Sequence, residues 1–308
     1  MVLIMNDQND YFKKYQKISF YDQVRKNKWQ SFFLILVIIL IIIALGYVIG
    51  YFYNPDMIWF FIIIATVISV IYTLIGLYAG SGIVLASVGA NEADPLKYRD
   101  LHSLVEGLSL GSGLPKPKIY VMPVEEINAF ASGRNPENAV ICVSAGALKF
   151  LTKKELEGVL AHELSHIGNY DIKFMTLTAV MVGLISIIAQ IFLRSLWFSS
   201  GTGGNKNGIF IIIGIAFAIL APLFAIIVQM AISRRREYMA DASAVKLARD
   251  NTGLIGALKK IGGYYEQKQS KLGGGAVSSL FIAEPSLTQK LFSSHPPLKD
   301  RIKALEAM

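Results

Sequence analysis

The chain has 308 residues, of which 53% are hydrophobic, and it carries a formal net charge of +8. Its mean hydropathy of +0.47 exceeds that of ordinary soluble domains and indicates that much of the chain lies in lipid. A single cysteine, Cys142, excludes an internal disulfide and suits a reducing compartment.

Residues 1–30 form a basic N-terminal segment that is predicted to lie on the cytoplasmic side of a membrane. Six basic residues precede the first apolar window: Lys13, Lys14, Lys17, Arg25, Lys26 and Lys28. The turns between the apolar windows carry only Lys206. Because basic residues favour the cytoplasmic side, this asymmetry fixes the predicted orientation. It also explains the net charge as affinity for an anionic leaflet of the lipid bilayer and argues against nucleic acid as a partner.

Four apolar windows of 20 residues or more are long enough to cross a bilayer core of about 30 Å. They are Ser31–Tyr53, Met57–Tyr78, Phe174–Phe198 and Gly208–Ile232. The last two are interrupted by Gln190, Arg194 and Pro222, so they form either two further spans or a hairpin that only partly enters the bilayer.

The order of polar and apolar segments predicts a multi-pass protein of the cell membrane with one cytoplasmic domain built from two parts. The predicted boundaries are a transmembrane hairpin over 31–78, the first part of the domain over 79–173, a second hydrophobic hairpin over 174–232, and the second part over 233–308. The predicted fold class is mainly α with a small β-sheet. His102, in the helical pattern from Tyr98 to Leu110, is interpreted as a surface or core histidine.

The first part of the domain contains a short buried strand followed by a helix. Ala139–Ser144 reads as the strand. Thr152 and Glu155 have the spacing of a capping box and open an amphipathic helix that is predicted to end near Gly168.

This helix carries the motif His162-Glu163-Leu164-Ser165-His166. Residues four apart lie on one face of a helix, so both imidazoles can bind one metal ion while Glu163 lies beside it. This arrangement is typical of zinc hydrolases. The alternative is a solvated helix with two accidental histidines. Since catalytic zinc usually takes three protein ligands and leaves a position for water, a third ligand is expected elsewhere in the chain.

Glu237 is the best candidate for the third ligand. It is followed four residues later by Asp241, so both carboxylates share a helical face, and Asp241 can accept the second ring N–H of a ligand histidine. The alternative is an ordinary charged helix face. Asp171 either orients His166 or caps the third apolar window.

Taken together, His162 to His166, Asp171 and the sequence Ser233 to Asp241 (Ser-Arg-Arg-Arg-Glu-Tyr-Met-Ala-Asp) resemble the HtpX-type membrane zinc metalloproteases, relatives of the CAAX prenyl proteases. The resemblance covers most of the chain from about Ser31 onward. It implies a gluzincin-type endopeptidase with a zincin-like catalytic domain in the cytosol, one Zn²⁺ per chain, and misfolded or unassembled membrane-protein segments as substrates.

The resemblance also assigns residues. It implies that His162, His166 and Glu237 bind the zinc and that Glu163 is the general base. Asn128, Ala129, Phe130 and Ala131 match the family's substrate-binding edge strand. His295 and Arg301 match its C-terminal motif for stabilising the transition state, although the segment also reads as a turn before a surface helix.

Three other functions stay open at this point. The chain is alternatively a processing protease of lipidated CAAX-type peptides, a non-catalytic membrane scaffold with a structural zinc site, or a transporter. A structural site is normally closed by a fourth Cys or His ligand, and a transporter carries ionisable residues deep in its spans. Apart from Arg194, the sequence has neither feature.

Overall fold

The structure is a computed structural model that describes residues 20–180, 234–267 and 297–308. It begins with a helical hairpin of α1 (Phe20–Tyr53), a 3₁₀ turn (Pro55–Met57) and α2 (Ile58–Tyr78). At the turn, the side chain of Asn54 accepts a hydrogen bond from the backbone N–H of Asp56. Helix α1 starts well before Ser31, so it is longer than the predicted apolar window.

Both helices of this hairpin contain a stretch long and apolar enough to cross a membrane, Asn27–Ala44 and Pro55–Tyr78. Only 19% and 11% of these stretches are buried inside the molecule, which distinguishes them from core helices of a soluble protein. Large apolar side chains such as Trp59, Phe60 and Ile63 are exposed instead. The described residues therefore contain two candidate membrane spans. Of the two later windows, only 174–180 is described, and it is helical; the remainder lies outside the described residues.

The two helices of the hairpin approach closely at Gly46. A Cβ atom at this position would collide with the Cβ of Ala65 and the carbonyl oxygen of Phe61. Small residues at such a crossing let helices pack tightly in lipid, where no hydrophobic effect drives them together.

A four-stranded sheet follows the hairpin. Its strands are β1 (Asn91–Glu92), β2 (Lys118–Met122), β3 (Ala129–Gly133) and β4 (Ala139–Ser144), in the order β1-β2-β4-β3. Strand β4 has the predicted bounds and runs parallel to β2, whereas β1 and β3 are antiparallel to their neighbours. Because β4 is central and paired on both sides, its residues are all buried.

Helices surround this sheet. They are α3 (Gly80–Ser87), α4 (Arg99–Ser112), α5 (Ala145–Phe150), α6 (Lys153–Gly168), α7 (described over 171–180), α8 (Arg234–Ala248), α9 (Thr252–Gln267) and α10 (Leu298–Glu306). The fold is thus mainly helical with a small sheet, as predicted. The predicted capping box is also confirmed, because Thr152 and Glu155 exchange both hydrogen bonds at the start of α6. His102 lies in α4, with its Nε2 2.9 Å from the carbonyl oxygen of Ala93.

Helix α6 lies at the centre of the domain, packed against α4, α8, α9 and β3. Its residues Leu160 and Leu164 are fully buried in a core that also contains Ile141 from β4 and Leu258 from α9. At Gly158 the backbone of α9 comes so close that a Cβ atom would lie 2.5 Å from the backbone nitrogen of Leu254. These contacts fix the position of α6 and therefore of the histidines it carries.

Candidate metal centre

Three buried side chains converge between α6 and α8. The Nε2 atoms of His162 and His166 are 3.2 Å apart. The Glu237 carboxylate places Oε2 3.6 Å from Nε2 of His162 and Oε1 3.7 Å from Nε2 of His166. In a tetrahedral site with bonds of 2.0–2.1 Å, ligand atoms are about 3.3 Å apart. The donor set therefore fits one tetrahedral metal ion, and three protein ligands leave one coordination position open.

His162 is oriented by Asp241, which lies one turn after Glu237 on α8. Oδ1 of Asp241 is 3.0 Å from Nδ1 of His162, so a proton on Nδ1 directs the Nε2 lone pair toward the metal position. Asp241 is in turn bound by Arg301 from α10, whose Nε and Nη2 donate to the two carboxylate oxygens at 2.9 and 2.6 Å. Both Asp241 and Arg301 are fully buried.

Burial and hydrogen-bonded charge pairs act in opposite directions on the pKa values of His162 and Asp241. Burial opposes the charged form of His162, but hydrogen bonds to Asp241 and Glu237 outweigh it and raise the pKa of His162 to about 9. Burial likewise opposes ionisation of Asp241, yet the charge of Arg301 and the bond to His162 hold the pKa of Asp241 below its ordinary value. A metal ion at Nε2 must therefore displace a proton from His162.

His166 is oriented by a different carboxylate, Asp171, whose Oδ2 lies 3.1 Å from Nδ1 of His166. In an unbroken helix, a residue five positions later would lie about 140° around the axis from His166. The chain instead turns at Tyr170, which adopts the left-handed conformation with φ of 61° between α6 and α7. This turn is what brings Asp171 back to the histidine, so of the two roles predicted for Asp171, it occupies the orienting position.

The second oxygen of Asp171 is held by two residues that sequence reasoning did not single out. Oδ1 of Asp171 accepts a hydrogen bond of 2.6 Å from Asn27 of α1 and lies 3.2 Å from Nε of Arg236. Arg236 also donates to Gln30 at 2.7 Å. Asn27 and Gln30 belong to residues 1–30, for which the sequence predicts only a basic N-terminal segment on the cytoplasmic side. The available signal was weak: a polar face at the start of an otherwise apolar helix.

Glu163, the predicted general base, is buried on α6 beside His162 with 2% of its surface exposed. Its negative charge, together with those of Asp241 and Glu237, contributes to raising the pKa of Arg301 against the opposing effect of burial. Glu163 is therefore electrostatically coupled to the same cluster. His295, the other predicted transition-state residue, lies outside the described residues.

The predicted substrate strand is β3, at one edge of the described sheet. Asn128 and Ser144 exchange hydrogen bonds, which directs the backbone groups of Asn128 toward β4. Backbone groups alternate in direction along an antiparallel strand, so those of Ala129, Ala131 and Gly133 point away from the sheet. The Ala129 N–H donates to the side chain of Asn128 and the Gly133 N–H to Thr176. Ala131 is thus at the middle of the outward edge, all five residues of β3 are buried, and the strand packs against the metal-binding helix α6.

Comparison with known proteins adds an independent line of evidence. Residues 95–308 match Peptidase family M48. The chain is 40% identical over 295 residues to a protein named Protease HtpX homolog from Thermoanaerobacter pseudethanolicus, covering 94% of this chain and 97% of the relative. A relative with the same name from Streptococcus uberis is 36% identical over 298 residues, covering 94% of this chain and 99% of the relative.

Among solved structures, the crystal structure of S. mikatae Ste24p is similar with a TM-score of 0.48 and 21% identity, covering 92% of this chain and 66% of that chain. The match to the family extends over both parts of the predicted domain and includes every described residue of the metal centre except Asn27 and Gln30. The chain therefore belongs to Peptidase family M48, a family of membrane metalloproteases.

Proposed function

We propose that the protein is a zinc-dependent endopeptidase of the gluzincin type, anchored in the cell membrane, that cleaves misfolded or unassembled membrane proteins at the cytosolic face. The observation that carries this proposal is the buried donor set of His162, His166 and Glu237, with Glu163 buried between the two histidines on the same helix. Three ligands with an open position are typical of catalytic zinc, whereas structural zinc sites have four protein ligands.

In the proposed reaction, the metal, the general base and the two aspartates have separate roles. Bound zinc would lower the pKa of water toward 7 and polarise the scissile carbonyl. Glu163 accepts the proton of the attacking water and later delivers it to the leaving amine. Asp241 and Asp171 hold the Nδ1 protons of the two histidines, which keeps both Nε2 atoms available as ligands.

Substrate binding is proposed at the outer edge of β3. An extended peptide can add to this edge through backbone hydrogen bonds centred on Ala131, next to the metal-binding helix. Backbone recognition requires an unfolded segment and imposes little sequence preference. Such selectivity suits an enzyme that removes misfolded proteins.

His295 and Arg301 are proposed to stabilise the negatively charged transition state, which needs hydrogen-bond donors in addition to the metal. In the structure Nη1 of Arg301 lies 3.7 Å from Oε2 of the ligand Glu237, so the guanidinium borders the metal position while it binds Asp241. A cation in this position favours the development of negative charge close to the metal.

The proposed reaction is tested by replacing the general base. Glu163→Gln keeps the shape of the side chain but cannot accept a proton, so the purified variant is expected to retain zinc and to lose cleavage of casein. Glu157→Gln, on the same helix but remote from the metal ligands, is the matched control and is expected to keep full activity. Casein cleavage by Glu163→Gln at the rate of the control would refute the catalytic assignment.

The proposed orientation requires a separate test. A reporter fused to the C-terminus and a cysteine introduced in the Gly203–Gly204 segment are expected to be accessible from opposite sides of the membrane. If the introduced cysteine stays unlabelled in intact cells but reacts after permeabilisation, the orientation or the number of spans must be revised.

A further inference from the structure

Helix α1, which contains the first candidate membrane span, contacts the metal centre through Asn27 and Gln30, and within the described residues only Asn27 of this helix is hydrogen-bonded to Asp171. Asn27 of α1 is 1% exposed, and its Nδ2 donates to Oδ1 of Asp171 at 2.6 Å and to the carbonyl oxygen of Asn169 at 2.8 Å. These partners are more than 140 positions away in the sequence. Asn27 is therefore the point at which the membrane hairpin contacts the carboxylate that orients His166.

The orientation of the Asn27 amide is determined by its partners. A carbonyl oxygen and an ionised carboxylate can only accept hydrogen bonds, so the group facing them must be the NH₂ and not the oxygen. Among the residues that the structure describes, the buried Oδ1 atom of Asn27 then has no hydrogen-bond partner. An unpaired buried oxygen lowers the stability of the fold, so an apolar residue at this position would stabilise the packing more than asparagine does. The two hydrogen bonds that Asn27 donates to Asp171 and Asn169 therefore offset this loss of stability and account for asparagine at this position.

The bond to Asp171 acts on the side of the carboxylate away from the histidine. Asn27 and Arg236 both bind Oδ1, which leaves Oδ2 directed at Nδ1 of His166. Two donors on one oxygen restrict rotation of the carboxylate. Because Asn27 is neutral, it provides this restraint without adding a second positive charge beside Arg236.

From this geometry we propose that Asn27 is a positioning residue of the metal centre, which holds Asp171 so that His166 presents Nε2 to the metal. The proposal rests on the metal centre of the proposed function and extends it, since one of the residues that shape the site belongs to the membrane hairpin. Correct docking of α1 against the start of α7 is then a condition for high metal affinity.

The test measures zinc affinity in full-length protein purified in detergent, by competition with a chromophoric chelator. Asn27→Ala is expected to bind zinc about 10-fold more weakly, the lower end of the effect typical for residues around metal ligands. Ser31→Ala is the matched control. Ser31 is equally buried one turn further along α1 and donates to the Asn27 backbone oxygen, but it does not contact Asp171. Its zinc affinity is expected to stay within about twofold of the parent.

A double-mutant cycle distinguishes positioning from general damage. In an Asp171→Ala background, Asn27→Ala is expected to weaken zinc binding by less than about twofold, because the acceptor of its hydrogen bond has already been removed. An equal loss in both backgrounds, or equal affinities of Asn27→Ala and Ser31→Ala, would overturn the proposal. So would a lower unfolding temperature of the metal-free Asn27→Ala protein, relative to Ser31→Ala, that accounts for all of the lost affinity.

The proposal and the proposed catalytic function can fail separately. Activity of Glu163→Gln would refute the general base but would leave the zinc affinities unaffected. Unchanged zinc affinity in Asn27→Ala, with an inactive Glu163→Gln, would refute the role of Asn27 and leave the catalytic assignment intact.

Discussion

The two ligand histidines are held in the same chemical way by different parts of the molecule. Behind His162 lie Asp241 and Arg301, both from helices in the C-terminal part of the chain. Behind His166 lie Asp171 and Arg236, joined by Asn27 from the membrane hairpin. Each histidine thus donates to an aspartate that is paired with an arginine. We call Asp241 with Arg301 the first support, and Asp171 with Arg236 and Asn27 the second support. Only the second support includes a residue of α1.

The two supports also differ in stiffness. Arg301 binds both oxygens of Asp241 in the planar fork that arginine favours, and no part of it is exposed. Nε of Arg236 lies near one oxygen of Asp171, and its Nη2 donates to Gln30. One support is therefore a two-point ion pair between two residues, and the other is an assembly of contacts from several residues. The second is the one that movement of α1 can alter.

The largest effect is expected where both supports meet, at the shared ligand. Glu237→Ala removes one of three ligands and is expected to abolish stoichiometric zinc binding, whatever the state of either aspartate. Metal analysis of the purified variant checks this. Full zinc occupancy would mean that the third ligand lies elsewhere.

The next prediction compares the two aspartates directly. Asp241→Ala leaves a fully buried arginine without its closest partner, which typically costs about 3–5 kcal/mol, and it also frees His162. Asp171→Ala is expected to weaken zinc binding by 10–100-fold but to lower the unfolding temperature less, because Arg236 keeps its bond to Gln30. Thermal unfolding with and without zinc measures both quantities. Equal destabilisation of the two variants would contradict the difference in stiffness.

Arg301→Lys tests whether the first support also takes part in the reaction. Lysine keeps the positive charge beside Asp241 but cannot bind both carboxylate oxygens in the planar geometry of a guanidinium. We therefore expect zinc to be retained while kcat falls by roughly 100-fold. Steady-state kinetics with parallel metal analysis checks this. Loss of zinc together with activity would restrict Arg301 to supporting Asp241.

The smallest effect is expected for Gln30→Ala, at the periphery of the second support. Gln30 is only partly buried and contacts Arg236, not Asp171, so zinc affinity is expected to change by no more than about threefold. The chelator competition used for Asn27 measures it. A loss as large as that of Asn27→Ala would show that α1 acts through Arg236.

How far the sequence predicts this site depends on the range of the contacts involved. His162, Glu163 and His166 follow from helical spacing, and the start of α6 follows from a capping box of two residues. The short apolar run that predicts the buried strand β4 is equally local. In such cases the physical signal lies within one element and needs no knowledge of the fold.

Asp241 and Asp171 are also among the predicted partners of the ligand histidines, but the residues that hold these two aspartates could not be predicted in this way. The contact of Asn27 with Asp171 joins residues 144 positions apart, and that of Arg301 with Asp241 joins residues 60 positions apart. Asn27 at the start of an apolar helix and Arg236 in a run of three arginines likewise give no indication in the sequence that both contact Asp171. The turn at Tyr170 could not be predicted either, because left-handed conformations are uncommon for tyrosine. Such a conformation depends on the packing around the residue and not on the residue type.

The length of α1 has a consequence for where substrates are cut. With 34 residues the helix is about 51 Å long, which exceeds the thickness of a hydrocarbon core, about 30 Å, by several turns. Asn27 lies at the start of the candidate span Asn27–Ala44, and only two hydrogen-bonded contacts separate it from His166. A polypeptide leaving the bilayer and advancing about 3.3 Å per residue would reach the zinc ligands after on the order of five residues. For the membrane-protein substrates proposed above, we therefore expect cleavage close to the ends of their own spans, so that the released products differ in length according to the juxtamembrane segment and not according to sequence.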